Sequence, residues 1–180
     1  MYIDKLKSLI PPPLMPSNTG GLALRDEINQ KLGIELPEDY YQIIEAYGTG
    51  WFSNNLLVFN PYVDNPNLNL FVQIEEDGYA YNTSKGNFGN QTDGEEGFPF
   101  EYYPSKNGLI PWGWIEGGDF LFYWLPEEDK WSIVVYDDAA TYKKFDMTIS
   151  EFIYNLMKGE VEFSDLEDLM PENKSIFEKY

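Results

Sequence analysis

The stretch that decides the fold is residues 119–136, which read DFLFYWLPEEDKWSIVVY. The run 120–125 is apolar at every position, and a strand that is covered on both faces requires such a run. Residues 126–130 have the composition of a turn, and the apolar run 131–136 returns as the antiparallel partner. This segment therefore predicts a hairpin inside a sheet.

Shorter strands are predicted on either side of the hairpin. Residues 109–114 lead into it, and the runs 51–52 and 56–59 also have strand composition. Residues 142–145 add an edge strand, in which two lysines discourage pairing with another chain. Together the strands predict one central antiparallel sheet.

Three helices are predicted from spacing and end signals. The first precedes Gly33, and the last begins with a capping box of Thr148 and Glu151. The middle helix begins after Pro37 and ends at Gly48. Its buried stripe consists of Tyr40, Ile43, Ile44 and Tyr47.

These elements predict an α+β fold in a single domain, with a central antiparallel sheet and helices packed on one side. We place the domain at residues 19–160. Residues 1–18 contain four prolines and predict an extended N-terminal arm, and residues 161–180 form an acidic C-terminal tail. A moderate helical pattern follows Leu68, and the polar, glycine-rich stretch 82–97 predicts a surface loop.

Charge is the strongest functional signal in the chain. The 180 residues include 31 acidic and 12 basic side chains, for a net charge of −19. Such a field repels phosphate backbones and anionic lipid surfaces, so the composition excludes nucleic-acid and membrane binding through a basic surface. The acidic excess points instead to a basic protein partner.

Histidine and cysteine are both absent, which removes several kinds of chemistry. No Ser-His-Asp, Cys-His or thiolate machinery is available, nor is a zinc site built from His and Cys. The acidic runs 93–96 and 137–138 do not have the spacing of a calcium loop. We therefore expect no metal and no cofactor, and the lack of cysteine and of a leader sequence favours a cytoplasmic protein.

The negative charge is unevenly distributed along the chain. Residues 1–60 carry a net charge of −3, whereas residues 61–120 and 121–180 carry −8 each. One cluster consists of Glu75, Glu76 and Asp77, and another of Glu116 and Asp119. A surface of this kind accelerates association with cationic partners, although carboxylates also serve simply to keep an aromatic-rich protein in solution.

Tryptophans supply the second functional signal. Trp124 and Trp131 lie within apolar strand runs and are expected in the core. Trp112 and Trp114 flank a glycine in a segment close to Glu116 and Asp119. Exposed rings beside carboxylates would make anchors at a protein interface. The alternative is that both rings cap one end of the sheet core.

The order of several short motifs resembles the SUKH superfamily. The matching motifs are Leu36-Pro37-Glu38-Asp39-Tyr40, Ala46-Tyr47-Gly48, Leu109-Ile110-Pro111-Trp112-Gly113, Gly118-Asp119-Phe120-Leu121-Phe122, and the helix that contains Glu151-Phe152-Ile153. The resemblance covers roughly residues 20–158. It implies an α+β fold and a non-enzymatic binding role, because that superfamily includes a fungal cell-wall-synthesis regulator and bacterial immunity proteins of polymorphic toxin systems.

Together, the charge and the resemblance predict an immunity protein that neutralises a toxin by covering a basic surface. The candidate partner-binding residues are Glu75, Glu76, Asp77, Trp112, Trp114, Glu116 and Asp119. A regulatory or scaffold protein of the same fold is the first alternative. A small carbohydrate-active enzyme, which needs only two carboxylates and aromatic platforms, is a more distant one. The partner's identity and the oligomeric state stay open.

Overall fold

Around the central hairpin, the chain forms five helices and seven strands within the described residues, which are 1–88, 96–115, 120–164, 166 and 176–180. The structure is a computed structural model. The helices are α1 (Tyr2–Leu9), α2 (Leu22–Leu32), α3 (Glu38–Tyr47), α4 (Leu70–Phe88) and α5 (Ile149–Lys158). The strands are β1 (Gly50–Phe52), β2 (Leu56–Val58), β3 (Ile110–Ile115), β4 (Leu121–Pro126), β5 (Trp131–Tyr136), β6 (Tyr142–Phe145) and β7 (Phe177–Lys179).

The seven described strands form one antiparallel sheet in the order β6-β5-β4-β3-β2-β1-β7. The predicted hairpin pairs β4 with β5 from Leu121↔Tyr136 to Pro126↔Trp131. Its neighbours are β3 and β6, and β6 is the edge strand that the sequence predicted. The α+β class and the central antiparallel sheet are confirmed.

The hairpin is buried on both faces, as its uninterrupted apolar run predicts. Phe122 and Trp124 point to the first face, where Phe122 packs on Phe152 of α5 and Trp124 on Tyr40 of α3. The intervening Tyr123 points to the second face, together with Val134 and Tyr136 of β5. Because side chains alternate along a strand, each face needs its own cover.

Helix α4 covers the second face, although the sequence predicted helices on one side of the sheet. Tyr81 of α4 packs on Tyr123 and Tyr136, with ring centroids 6.1 Å and 5.9 Å away. The helix runs through Gly78, where an added Cβ would lie 2.7 Å from the ring of Tyr102. The glycine that weakens the helical pattern therefore permits close packing.

The predicted loop over residues 82–97 is wrong for its first part, because α4 continues to Phe88. Two polar side chains in this part of α4 form hydrogen bonds to backbone carbonyl oxygens of the preceding turn. The Asn82 amide donates to the carbonyl oxygen of Gly78, and the Thr83 hydroxyl donates to that of Tyr79. Residues 89–95 lie outside the described part of the chain.

The predicted extended arm is also wrong for its first part, which is α1. Ile3, Leu6 and Ile10 are buried at helical spacing. The prolines begin only at Pro11, so they force the extended conformation on Ile10 and leave the preceding residues free to form a helix. The Tyr47 hydroxyl then donates to the Ile10 carbonyl oxygen at 2.7 Å.

Other residues that were predicted to begin or end helices do so. Gly33 and Gly159 adopt left-handed conformations after α2 and α5, and the Thr148 hydroxyl accepts from the Glu151 amide at the start of α5. Within the acidic tail, β7 pairs with β1 and forms one edge strand of the sheet.

Truncation of Leu6 tests whether α1 belongs to the core. Leu6 is 0 % exposed, so Leu6→Ala should lower the free energy of unfolding by about 2–5 kcal/mol in chemical denaturation. Leu14, which is 102 % exposed in the proline segment, is the matched control, and Leu14→Ala should change that free energy by less than about 0.5 kcal/mol. Equally small effects of both variants on the free energy of unfolding would mean that residues 1–18 do not pack against the core.

Candidate binding site on the second face of the sheet

Three of the predicted partner-binding residues lie on α4. Glu75 and Glu76 are exposed, whereas Asp77 is half-buried and points toward β4. The helical spacing explains the difference, because Asp77 follows buried Ile74 by three residues and precedes buried Tyr81 by four. One acidic cluster in the sequence thus supplies two surface carboxylates and one inward carboxylate.

Trp112 does not lie at the surface, and the expectation that its ring is exposed is wrong. It is 0 % exposed on the first face, where its ring packs on Phe122 and Phe152. A β-bulge between Pro111 and Gly113 places Trp112 beside Gly113 opposite a single partner, Phe122. The alternative that Trp112 belongs to the sheet core describes its position.

The same bulge turns Trp114 to the other face. Residues two apart in a regular strand share a face, but the extra residue at the bulge breaks that relation. Trp114 pairs with Leu121, which in turn pairs with Tyr136 on the second face. Trp114 is half-buried there, and Leu121 is 39 % exposed. The remaining candidates, Glu116 and Asp119, lie outside the described residues.

A pocket of about 230 Å³ opens between α4 and the second face. We call it the tyrosine pocket. Its lining includes Asp77, Tyr81, Tyr123, Tyr136, Asp137 and Asp138. Asp137 and Asp138 follow β5 directly, so the end of that strand and one face of α4 together bring three carboxylates and three tyrosines to one place.

Asp77 sits in an unusual environment for a carboxylate. The Tyr123 hydroxyl donates to its Oδ1 at 3.0 Å, whereas its buried Oδ2 has no hydrogen-bond partner among the described residues. The nearby Tyr102 hydroxyl donates its single proton to the Ile74 carbonyl oxygen at 3.0 Å. Burial raises the pKa of Asp77 to about 6, and the tyrosine hydroxyls beside it oppose that rise.

We use the term acidic face for five carboxylates on and beside α4: Asp77, Asp137 and Asp138 line the tyrosine pocket, and Glu75 and Glu76 lie on the exposed side of the helix. Among the described residues, none of these five carboxylates lies within ion-pair distance of a lysine or arginine. Some acidic groups elsewhere are compensated, since Lys144 pairs with Glu127 and Lys130 pairs with Asp146, whereas others such as Glu27 and Glu45 are also unpaired among the described residues. The negative charge of the acidic face is therefore left unpaired within the described chain.

Three residues at or beside this surface were not among the predicted partner-binding residues: Tyr79, Asp137 and Asp138. Tyr79 is 80 % exposed on α4, one helical turn beyond Glu75. Asp137 and Asp138 lie in the turn after β5, where the Asp137 carboxylate accepts from the Thr141 amide at 2.8 Å. Local sequence shows the turn but cannot show that it borders a pocket.

A second hollow, of about 380 Å³, lies between the starts of α3 and α5 and is mainly apolar. Its carboxylate Asp39 accepts from the Ser150 amide at 2.9 Å and so caps α5. Lys130 at its rim is paired with Asp146. Asp39 and Lys130 at this hollow therefore serve the fold.

The described part of the chain shows neither a metal site nor a membrane-spanning helix. It contains no group of three acidic side chains placed to hold a metal ion. Likewise, no helix there combines the length and hydropathy needed to cross a bilayer.

Comparison with known families confirms the predicted resemblance. The family model described as "SMI1-KNR4 cell-wall" (SUKH_6) matches residues 25–153. The chain belongs to the SUKH family. No curated protein and no solved structure matched the chain.

The SUKH match includes the sheet from β1 to β6, α4 and the tyrosine pocket. It leaves out α1 and β7, so this chain adds both elements to the matched region. SUKH proteins are generally non-catalytic immunity or regulatory proteins. That membership leaves the partner open.

Removal of the negative charge of Asp77 should stabilise the folded protein at neutral and higher pH. The folded state binds a proton at Asp77 with a pKa of about 6, against 3.8 for an ordinary aspartate, so wild-type stability should fall as pH rises from about 4 to about 6. Asp77→Asn, which carries no charge, should raise the free energy of unfolding by about 1–3 kcal/mol at about pH 8.

That advantage should disappear near pH 4, where the wild-type carboxyl is also neutral in the folded state. Urea denaturation across this pH range, with exposed Glu75→Gln as the control, measures the effect. An Asp77→Asn protein that is less stable than wild type at all pH values would contradict the assigned environment.

Proposed function

We propose that this SUKH protein is an immunity protein that binds a cognate bacterial polymorphic toxin and neutralises it by covering a basic surface of the toxin. Binding is stoichiometric, and the acidic face makes the contact. The observation that carries this proposal is the set of five carboxylates on that face, none of which has an ion-pair partner among the described residues. A basic partner would supply the missing charge.

Electrostatic complementarity of this kind acts mainly on the rate of encounter. Unpaired carboxylates on one face attract a cationic surface over about a Debye length, and the attraction weakens with salt. The overall net charge of −19 adds to the effect. A toxin that acts on nucleic acid commonly has a basic groove, which an acidic protein can occupy in place of phosphate.

Apolar anchors near the acidic face would slow dissociation. Tyr79 is 80 % exposed and Leu121 is 39 % exposed, and Trp114 lies beside Leu121 in the ladder. Interfaces commonly combine a few such residues with a charged rim, and the buried anchors carry most of the affinity. In this proposal Trp114 keeps its predicted role, whereas buried Trp112 supports the sheet.

Co-expression with the toxin encoded by the neighbouring gene tests the proposal. Wild-type protein should restore growth and co-purify with the toxin domain. If toxicity and complex formation are both unaffected, the immunity proposal is wrong. A regulatory or scaffold protein of the same fold would then be favoured, especially where no toxin gene lies beside this one.

Charge reversal tests whether the acidic face makes the contact. The double variant Glu75→Lys/Glu76→Lys should lower the association rate constant about tenfold at low salt, and much less at high salt. The control Glu27→Lys/Glu45→Lys changes the net charge equally at exposed sites on α2 and α3. Stopped-flow mixing with the toxin domain measures both. Equal slowing by the two variants would mean that only net charge matters.

A further inference from the structure

We propose that the tyrosine pocket receives the guanidinium group of one arginine side chain of the protein partner. This inference deepens the proposed function and rests on it for the identity of the arginine's source. The binding chemistry itself belongs to the pocket, so a free arginine derivative tests it separately.

The negative charge of the tyrosine pocket favours a cationic ligand. Asp77, Asp137 and Asp138 line it, and its described lining contains no lysine or arginine. Asp77 is half-buried, its Oδ2 has no hydrogen-bond partner among the described residues, and a carboxylate that is removed from water without a counter-charge is unfavourable. A cation that enters the pocket offsets this penalty.

The walls of the pocket suit a flat cation. Tyr81, Tyr123 and Tyr136 line it, and Phe98 stacks on Tyr136 with ring centroids 5.5 Å apart and planes at 10°. Aromatic faces attract cations, and guanidinium stacks on them while it bonds to a carboxylate. It is also more weakly hydrated than an ammonium group, so its entry into a partly buried pocket is less unfavourable.

The chain already holds one of its own guanidinium groups in this way. Arg25 lies over the ring of Tyr41, with Cζ 4.5 Å from the ring centroid, and pairs with the carboxylate of Glu38. A second carboxylate, Glu35, lies 3.8 Å away. Tyrosine faces and carboxylates are the same components that line the tyrosine pocket, where the described chain provides no arginine.

The size of the pocket is compatible with a single side chain. A cavity of about 230 Å³ is at the small end for an independent small-molecule site, and it is open to solvent beside the exposed residues Leu121 and Asp138. An arginine projecting from a docked protein surface would reach it without burial of the whole partner. We therefore place the arginine at the centre of the proposed interface.

Titration of the full-length protein with N-acetyl-arginine amide, followed by amide NMR shifts, tests the inference. We expect saturable shifts centred on residues 77–84 and 136–140. Asp77→Asn should weaken binding about tenfold or more, because it removes the charge-assisted contact. Ala80→Trp, at an exposed position in the lining, should block the pocket without altering the carboxylate.

Matched controls separate the pocket from general acidity. Glu75→Gln removes one surface charge on the same helix and should change binding by less than about twofold. N-acetyl-citrulline amide, which is neutral and of similar shape, should not bind, and N-acetyl-lysine amide should bind more weakly than the arginine probe. Spectra of each variant show whether it folds, and Ala80→Trp remains a test if Asp77→Asn does not fold.

Three results would overturn the inference: citrulline shifts as large as those of arginine, wild-type affinity in folded Asp77→Asn or Ala80→Trp protein, or shifts that map away from the pocket. A lysine probe that binds more tightly than arginine would overturn the choice of guanidinium. If the arginine probe does not bind but the protein still neutralises the toxin, only the pocket proposal is wrong. Arginine binding in a protein that neutralises no toxin removes the proposed function and leaves the pocket.

Discussion

The structure depends on a hairpin that must be buried on both faces. Phe122 and Trp124 require cover on the first face, and Tyr123 and Tyr136 require it on the second. Helices α3 and α5 provide the first cover and α4 the second. Since α4 carries the acidic run 75–77, the packing of this helix on the hairpin also brings Asp77 to the sheet.

The two faces differ in how their carboxylates are satisfied, although the buried indole nitrogens of Trp112 and Trp124 on the first face also have no hydrogen-bond partner among the described residues. On the first face, hydroxyls and carboxylates serve the fold: Tyr40 donates to the Phe59 carbonyl oxygen, and Asp39 caps α5. On the second face, Asp77 Oδ2 has no hydrogen-bond partner within the described part of the chain, and burial raises the pKa of this carboxyl. Proteins commonly accept such unfavourable local arrangements where they bind something, and this contrast is why we place function on the second face.

Much of the fold follows from local sequence. The hairpin, the ends of α3 and the cap of α5 have strong, short-range signals, and all three appear as predicted. Helix α1 was missed because tertiary packing, rather than propensity, stabilises it, and the last turns of α4 were missed because their exposed, polar residues show no apolar helical pattern. The exposed position predicted for Trp112 is wrong because of the bulge at Gly113. This glycine lies close to the Leu57 carbonyl oxygen, a contact that has no local signature in the sequence. The acidic run at 75–77 was identified as a candidate, but the pocket formed with Asp137 depends on the sheet and was not.

Hydrogen exchange of the full-length protein, alone and in complex with its cognate toxin domain, tests most directly whether the second face is the binding surface. The account predicts that complex formation increases protection mainly in residues 75–84 and 136–141, with little change in α1 and α5. Added protection confined to α1 and α5, with residues 75–84 unchanged, would contradict it.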